Sequence, residues 1–167
     1  MTNIPPPPPP SSEAKRYEGL GGWLILVAIG LIITPLRLGV DGVRIFLPLF
    51  APEKWHLINT PGSELYHPYL GPLLIYEVAG NTTTALFALV MLGLFFSRKR
   101  FFLKLMILYL AVNALFVFGD HVLVRQVFPG MATSPQGIRE LARVTAGCLI
   151  WIPYLLVSKR VKATFTT

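Results

Sequence analysis

A chain of 167 residues has the length of one ordinary soluble domain, but 53% hydrophobic and only 14% charged residues, with a mean hydropathy of +0.59, exclude a water-facing surface of normal polarity. The formal charge of +7 does not indicate nucleic acid, because the basic residues crowd against the ends of apolar runs instead of covering a polar domain. Membrane lipids are therefore the expected partner, and the lone Cys148 excludes an internal disulfide and a cysteine metal cluster.

Residues 1–18 hold six consecutive prolines, Pro5 to Pro10, and cannot bury apolar area; they predict a disordered, polyproline-like cytoplasmic tail acting as a spacer. The first apolar run starts at Gly19 and reaches Arg37, or Val40 if the arginine snorkels, which predicts a span over about 20–40. Lys15 and Arg16 precede it, but no small-x-small cleavage site follows, so it reads as a retained signal anchor. Between Val43 and Tyr69 stand Pro48, Pro52, Pro61 and Pro68 among aromatic residues, a mixture that predicts a surface loop hugging the bilayer. His56, His67, Glu53 and Glu64 in this loop match no metal-ligand spacing and are read as interfacial side chains.

A second span is expected over 73–96 and a third over 101–124, joined by Ser97-Arg98-Lys99-Arg100, a connection so short that the two must form an antiparallel hairpin. A polar loop with Pro129, Gly130, Pro135 and Gly137 leads to a fourth span over 138–157, and residues 159–167 form a basic tail. Asn81-Thr82-Thr83 is formally a glycosylation sequon, but it falls inside a span. The reading is an all-α polytopic membrane protein, four transmembrane helices in an antiparallel bundle occupying 19–158.

Orientation follows from charge. Lys15, Arg16, Arg98, Lys99, Arg100, Lys104, Lys159, Arg160 and Lys162 gather on one side, while Arg37, Arg44, Lys54, Arg125, Arg139 and Arg143 on the other are nearly balanced by acids. The positive-inside rule then places both termini and the hairpin in the cytoplasm.

Each span carries charge toward its opposite end, in register with other polar or small positions. Glu77, Asn81 and Thr84 share a face of the second span; Tyr109, Asn113, Phe116 and Asp120 share one in the third. Gly19, Trp23, Gly30 and Arg37 do so in the first, and Arg143, Gly147 and Tyr154 in the fourth. At about 1.5 Å per residue, Arg37, Glu77, Asp120 and Arg143 stand roughly 24–31 Å from the cytoplasmic anchors, near the outer hydrocarbon boundary. Two arginines and two carboxylates at one level are expected to neutralise each other, since an unpaired charge there costs at least about 2.5 kcal/mol. Arg37, Glu77, Asn81, Asn113, Asp120 and Arg143 thus form a candidate polar seam, structural as ion pairs and hydrogen-bond glue or functional as a ligand pocket. The glycines at 19, 21, 22 and 30 read as sites of close helix packing.

No nucleophile elbow, His-Glu-x-x-His pair or phosphate-cradling glycine loop is present, so no enzyme, cofactor or metal is expected.

Gly19-Leu-Gly-Gly-Trp-Leu at the start of the first span and Trp151-Ile-Pro-Tyr-Leu-Leu-Val-Ser-Lys-Arg-Val-Lys-Ala-Thr-Phe165 at the chain's end resemble the opening and closing motifs of a bacterial inner-membrane family, domain of unknown function 2569. The resemblance covers about Tyr17 to Phe165 and implies a bacterial inner membrane and four helices, but no activity. Two functional expectations remain open. One is a non-enzymatic accessory or envelope-associated factor working through lipid or protein contacts, with Lys159, Arg160 and Lys162 as a docking or lipid-binding patch. The other is a small transporter or ligand-binding bundle using the polar seam.

Overall fold

A computed structural model describes residues 22–128, 130 and 134–165. The proline-rich segment, Lys15, Arg16, Gly19 and Gly21 lie outside them. The described chain is helical without strands: α1 (Trp23–Leu49), α2 (Pro52–Asn59), α3 (Leu70–Phe96), α4 (Phe101–Val127), α5 (Pro135–Val157) and α6 (Lys159–Thr164). Four of these, α1, α3, α4 and α5, are long and apolar enough to cross a membrane.

The expected loop over 43–69 is corrected by the structure. The first helix runs on through a π-helical turn, Gly42–Phe46, to Leu49, and Pro52–Asn59 forms a further helix. The prolines permit this because Pro52 opens its helix, where no backbone donor is needed, and Pro48 comes directly after the π-helical turn in the last residues of α1. Within α1, Pro35 removes one backbone donor, and the neighbouring Thr34 hydroxyl donates to the Gly30 carbonyl at 2.8 Å. The other spans exceed their expected ends by about a turn, starting at Leu70 and Pro135 and finishing at Val127.

The hairpin between α3 and α4 closes by backbone chemistry. Arg98 takes a left-handed φ of 51°, its N–H donates to Phe95 O and that of Lys99 to Leu94 O, the pair of bonds that ends a helix in a Schellman motif. That conformation is strained for a residue with a Cβ, and the two carbonyls it satisfies offset the strain.

The spans lie in an open row. α3 packs on both α1 and α4, and α4 on α5, but α1 and α5 approach each other without comparable backbone packing. Two side-chain contacts bridge them: Trp23 with Trp151 at 6.5 Å between ring centroids, and Arg37 with Glu140 at 3.5 Å. The end holding the Ser97–Arg100 turn is called here the hairpin end, and the opposite one the loop end.

At the hairpin end the spacing of apolar residues builds the core. Leu24, Val27 and Leu31 of α1, Ala88, Met91 and Phe95 of α3, and Phe102, Met106 and Tyr109 of α4 recur at three- and four-residue intervals and meet as one buried cluster. The basic tail belongs to it in part, which sequence reading missed. Ser158 caps α6 by accepting from Val161 N–H, Val161 and Phe165 are buried, and the Phe165 ring stacks on Phe102 at 4.4 Å. Lys159 and Lys162 remain exposed.

Candidate functional site

Polar residues of all four spans collect toward the loop end. Arg37 and Asp41 come from α1, Glu77 and Asn81 from α3, Asp120 from α4 and Glu140 from α5, around a cavity of about 240 Å³. The π-helical turn helps to shape it: Leu47 N–H donates to Gly42 O, and the wider turn leaves Asp41, Ile45 and Phe46 all facing the cavity. A close approach of α3 to α4 brings the carboxylates together. Gly80 of α3 accepts the Phe116 ring where a Cβ would stand only 1.8 Å from it, and the Tyr76 hydroxyl donates to Phe116 O at 3.0 Å. Gly119 in turn leaves room for the Tyr76 hydroxyl.

The charges do not pair as the sequence suggested. Arg37 and Arg143 were expected to neutralise Glu77 and Asp120; both arginines instead bind Glu140, Arg37 at 3.5 Å and Arg143 through Nε at 3.1 Å and Nη2 at 2.5 Å. The physical reason is geometric: Arg143 lies one helical turn beyond Glu140 on α5, so this pair forms within the helix, and Arg37 reaches the same carboxylate across the open seam. Glu77 and Asp120 are left on the walls of one cavity. Among the described residues neither forms an ion pair, and Oδ1 of Asp120 is buried without a hydrogen-bond partner.

The seam is also divided. Arg37, Glu77, Asn81 and Asp120 share the loop-end cavity, whereas Asn113 and Arg143 line a second cavity of about 210 Å³ between α1, α4 and α5. Glu140, with an arginine on each side, stands where the two adjoin. The closing patch proposed from Lys159, Arg160 and Lys162 lies at the opposite, hairpin end on α6. Gly30 does not serve close packing as expected: nothing lies within 4 Å of a Cβ placed there, and it lines the second cavity. Gly22 caps the start of α1 with a φ of 63°. Asp41 and Glu140 in the first cavity, and Thr34 and Tyr109 in the second, are polar residues that the candidate seam omitted. For Glu140 the available signal was its three-residue spacing to Arg143.

No group of three or more His, Cys, Asp or Glu side chains among the described residues is arranged to hold a metal ion.

A family model described as a protein of unknown function (DUF2569) matches residues 17–166, nearly the whole chain. No curated protein and no solved structure matches it.

Proposed function

We propose that this chain, which belongs to the DUF2569 family of proteins of unknown function, is a non-enzymatic membrane bundle that binds a small cation, proton included, in its loop-end cavity. The carrying observation is the Glu77–Asp120 pair. Two carboxyl groups lining one cavity inside a membrane-spanning bundle, neither of them in an ion pair among the described residues, are an arrangement that pure architecture does not require. An ammonium group or a shared proton supplies what the pair lacks. Structural ion pairing accounts for Arg37, Glu140 and Arg143, but not for these two.

In this reading the membrane is a bacterial inner membrane, both termini are cytoplasmic and the cavity faces outward. A reporter fused at position 99 is expected on the cytoplasmic side and one fused at Trp55 on the other; the reverse overturns the orientation. For the site itself, proteoliposomes on a solid support are challenged with jumps of proton or ethylammonium concentration. The intact chain is expected to give a charge displacement that Glu77→Gln and Asp120→Asn abolish at unchanged abundance. Currents no larger than those of empty liposomes overturn the reading, and loss of abundance in the variants favours a structural role.

A second reading, an accessory factor docking through its basic end, is favoured by α6. Val161 and Phe165 anchor this helix while Lys159 and Lys162 point away, a fixed basic patch suited to anionic lipid or an acidic partner.

A further inference from the structure

The cavity between α1 and α5 has a different chemistry from the loop-end one. Its wall toward the hairpin end is apolar, with Leu26, Val27, Met106 and Trp151. Thr34, Tyr109, Asn113 and Arg143 form a polar band above them. Counted at about 1.5 Å per residue from the hairpin end of each helix, Tyr109 stands about 12 Å up, Thr34 and Asn113 about 16–18 Å, and Arg143 about 21 Å. Trp151 lies lower, at about 9 Å on the same count. The pocket is therefore amphipathic along the membrane normal, with its polar groups nearer the loop end.

Three observations say what fits it. Arg143 shares its one anionic partner, Glu140, with Arg37, so two cations stand against that one carboxylate. Arg143 gives only Nε and Nη2 to Glu140; Nη1 has no acceptor among the described residues, and 56% of the side chain is uncovered by protein. The side-chain amide of Asn113, midway along α4, makes no hydrogen bond among the described residues, although an amide at that depth normally finds a partner. The walls are also spaced by design of sequence: Gly30 on α1 and Gly147 on α5 leave open room where any side chain would project.

We propose that this cavity binds a single-chain acidic amphiphile, a fatty carboxylate, entering sideways between α1 and α5. The carboxylate accepts from Arg143 Nη1 and the Asn113 amide, and the chain runs toward Trp151 and Trp23 at the hairpin end. A carboxylate suits a planar guanidinium arm better than a phosphodiester with two chains suits a cavity of about 210 Å³. The part of the chain that the cavity cannot hold leaves through the α1–α5 opening into lipid. The site adjoins the loop-end cavity at Glu140 but is lined by different residues.

The test uses the full chain with Trp55→Phe, so that Trp23 and Trp151 report, in phosphatidylcholine vesicles titrated with ω-bromododecanoate. Saturable quenching of tryptophan fluorescence is expected. It should weaken at least about tenfold with Arg143→Gln, with Gly147→Leu, and when the acid is replaced by its alcohol. Gly93→Leu, at an equally open glycine outside the cavity, should leave it unchanged. Quenching that fails to saturate, or is the same in all variants, overturns the site as mere partitioning into lipid. Equal quenching by acid and alcohol overturns the carboxylate assignment, and equal sensitivity of a brominated phospholipid to Gly147→Leu assigns the cavity to a phospholipid chain instead. Should Arg143→Gln fail to fold, Gly147→Leu and the acid–alcohol comparison decide alone.

Discussion

Between α3 and α4 glycine lets two helices come together, whereas between α1 and α5 it borders open space. At Gly80 the Phe116 ring occupies the space a methyl group would need, and Gly119 does the same for the Tyr76 hydroxyl. At Gly30 and Gly147 the same residue type meets nothing within 4 Å. In lipid no hydrophobic force closes a gap between helices, so contact must come from shape and polar bonds, and a seam lacking both stays open. The first seam has Tyr76 bonded across to Phe116 O; the second has, among the described residues, a tryptophan edge at one end and Arg37–Glu140 at the other. One seam is structure, and the other is space.

The contrast is broken most severely at the hairpin end, where the row of helices is pinned. Phe102 is fully buried, meets Phe95 edge-on at 5.4 Å and carries the stacked Phe165 ring of α6. Phe102→Ala is expected to destabilise the bundle by about 3–5 kcal/mol, read as the unfolding free energy in mixed micelles. It should also release α6 to proteolysis after Lys159 or Lys162. A loss below about 1 kcal/mol would mean that the aromatic cluster does not hold the bundle.

Gly80→Ala addresses the closed seam. The new methyl group falls on the Phe116 ring, so either the ring turns away or α3 and α4 separate, at a cost of about 1–3 kcal/mol. Because the same helix contact sets Glu77 opposite Asp120, any charge displacement assigned to that pair should weaken along with stability. A silent Gly80→Ala would show that the seam adapts and that the carboxyl pair does not need it.

Hydropathy and loop length made the four spans and the hairpin legible, because a stretch of about twenty apolar residues has few other uses and a four-residue turn has one topology. Helical periodicity also placed Glu77, Asn81 and Asp120 on inward faces, and they do line one cavity. What periodicity does not carry is which neighbour a face meets. Asn113 and Arg143 share stripes with the others yet open on a different cavity, since α1 and α5 do not pack together. The pairing of charges failed for a related reason: balancing them by depth ignored Glu140, one turn from Arg143 and therefore its first partner. The continuation of α1 to Leu49 was hidden because prolines read as breakers, whereas Pro48 stands at the end of α1 just after a π-helical turn. In the tail, counting lysines drew attention away from Val161 and Phe165, whose four-residue spacing already described the buried side of a helix.

The smallest expected effect is the most discriminating, because it repeats the Gly80 substitution at the open seam and reverses its sign. Gly30 is helical, has no positive φ and meets nothing that a methyl group would strike, so Gly30→Ala should stabilise rather than destabilise. In water such a change yields about 0.4–1 kcal/mol by restricting the unfolded chain. In a bilayer the separated span is already helical, since lipid leaves its backbone no other partner, so most of that entropy is lost before the helices assemble. A gain of only a few tenths of a kcal/mol is therefore expected, measured in the same micelles as Phe102→Ala and Gly80→Ala. Destabilisation by about 1 kcal/mol or more would place an unseen partner against Gly30 and convert the open seam into a second interface.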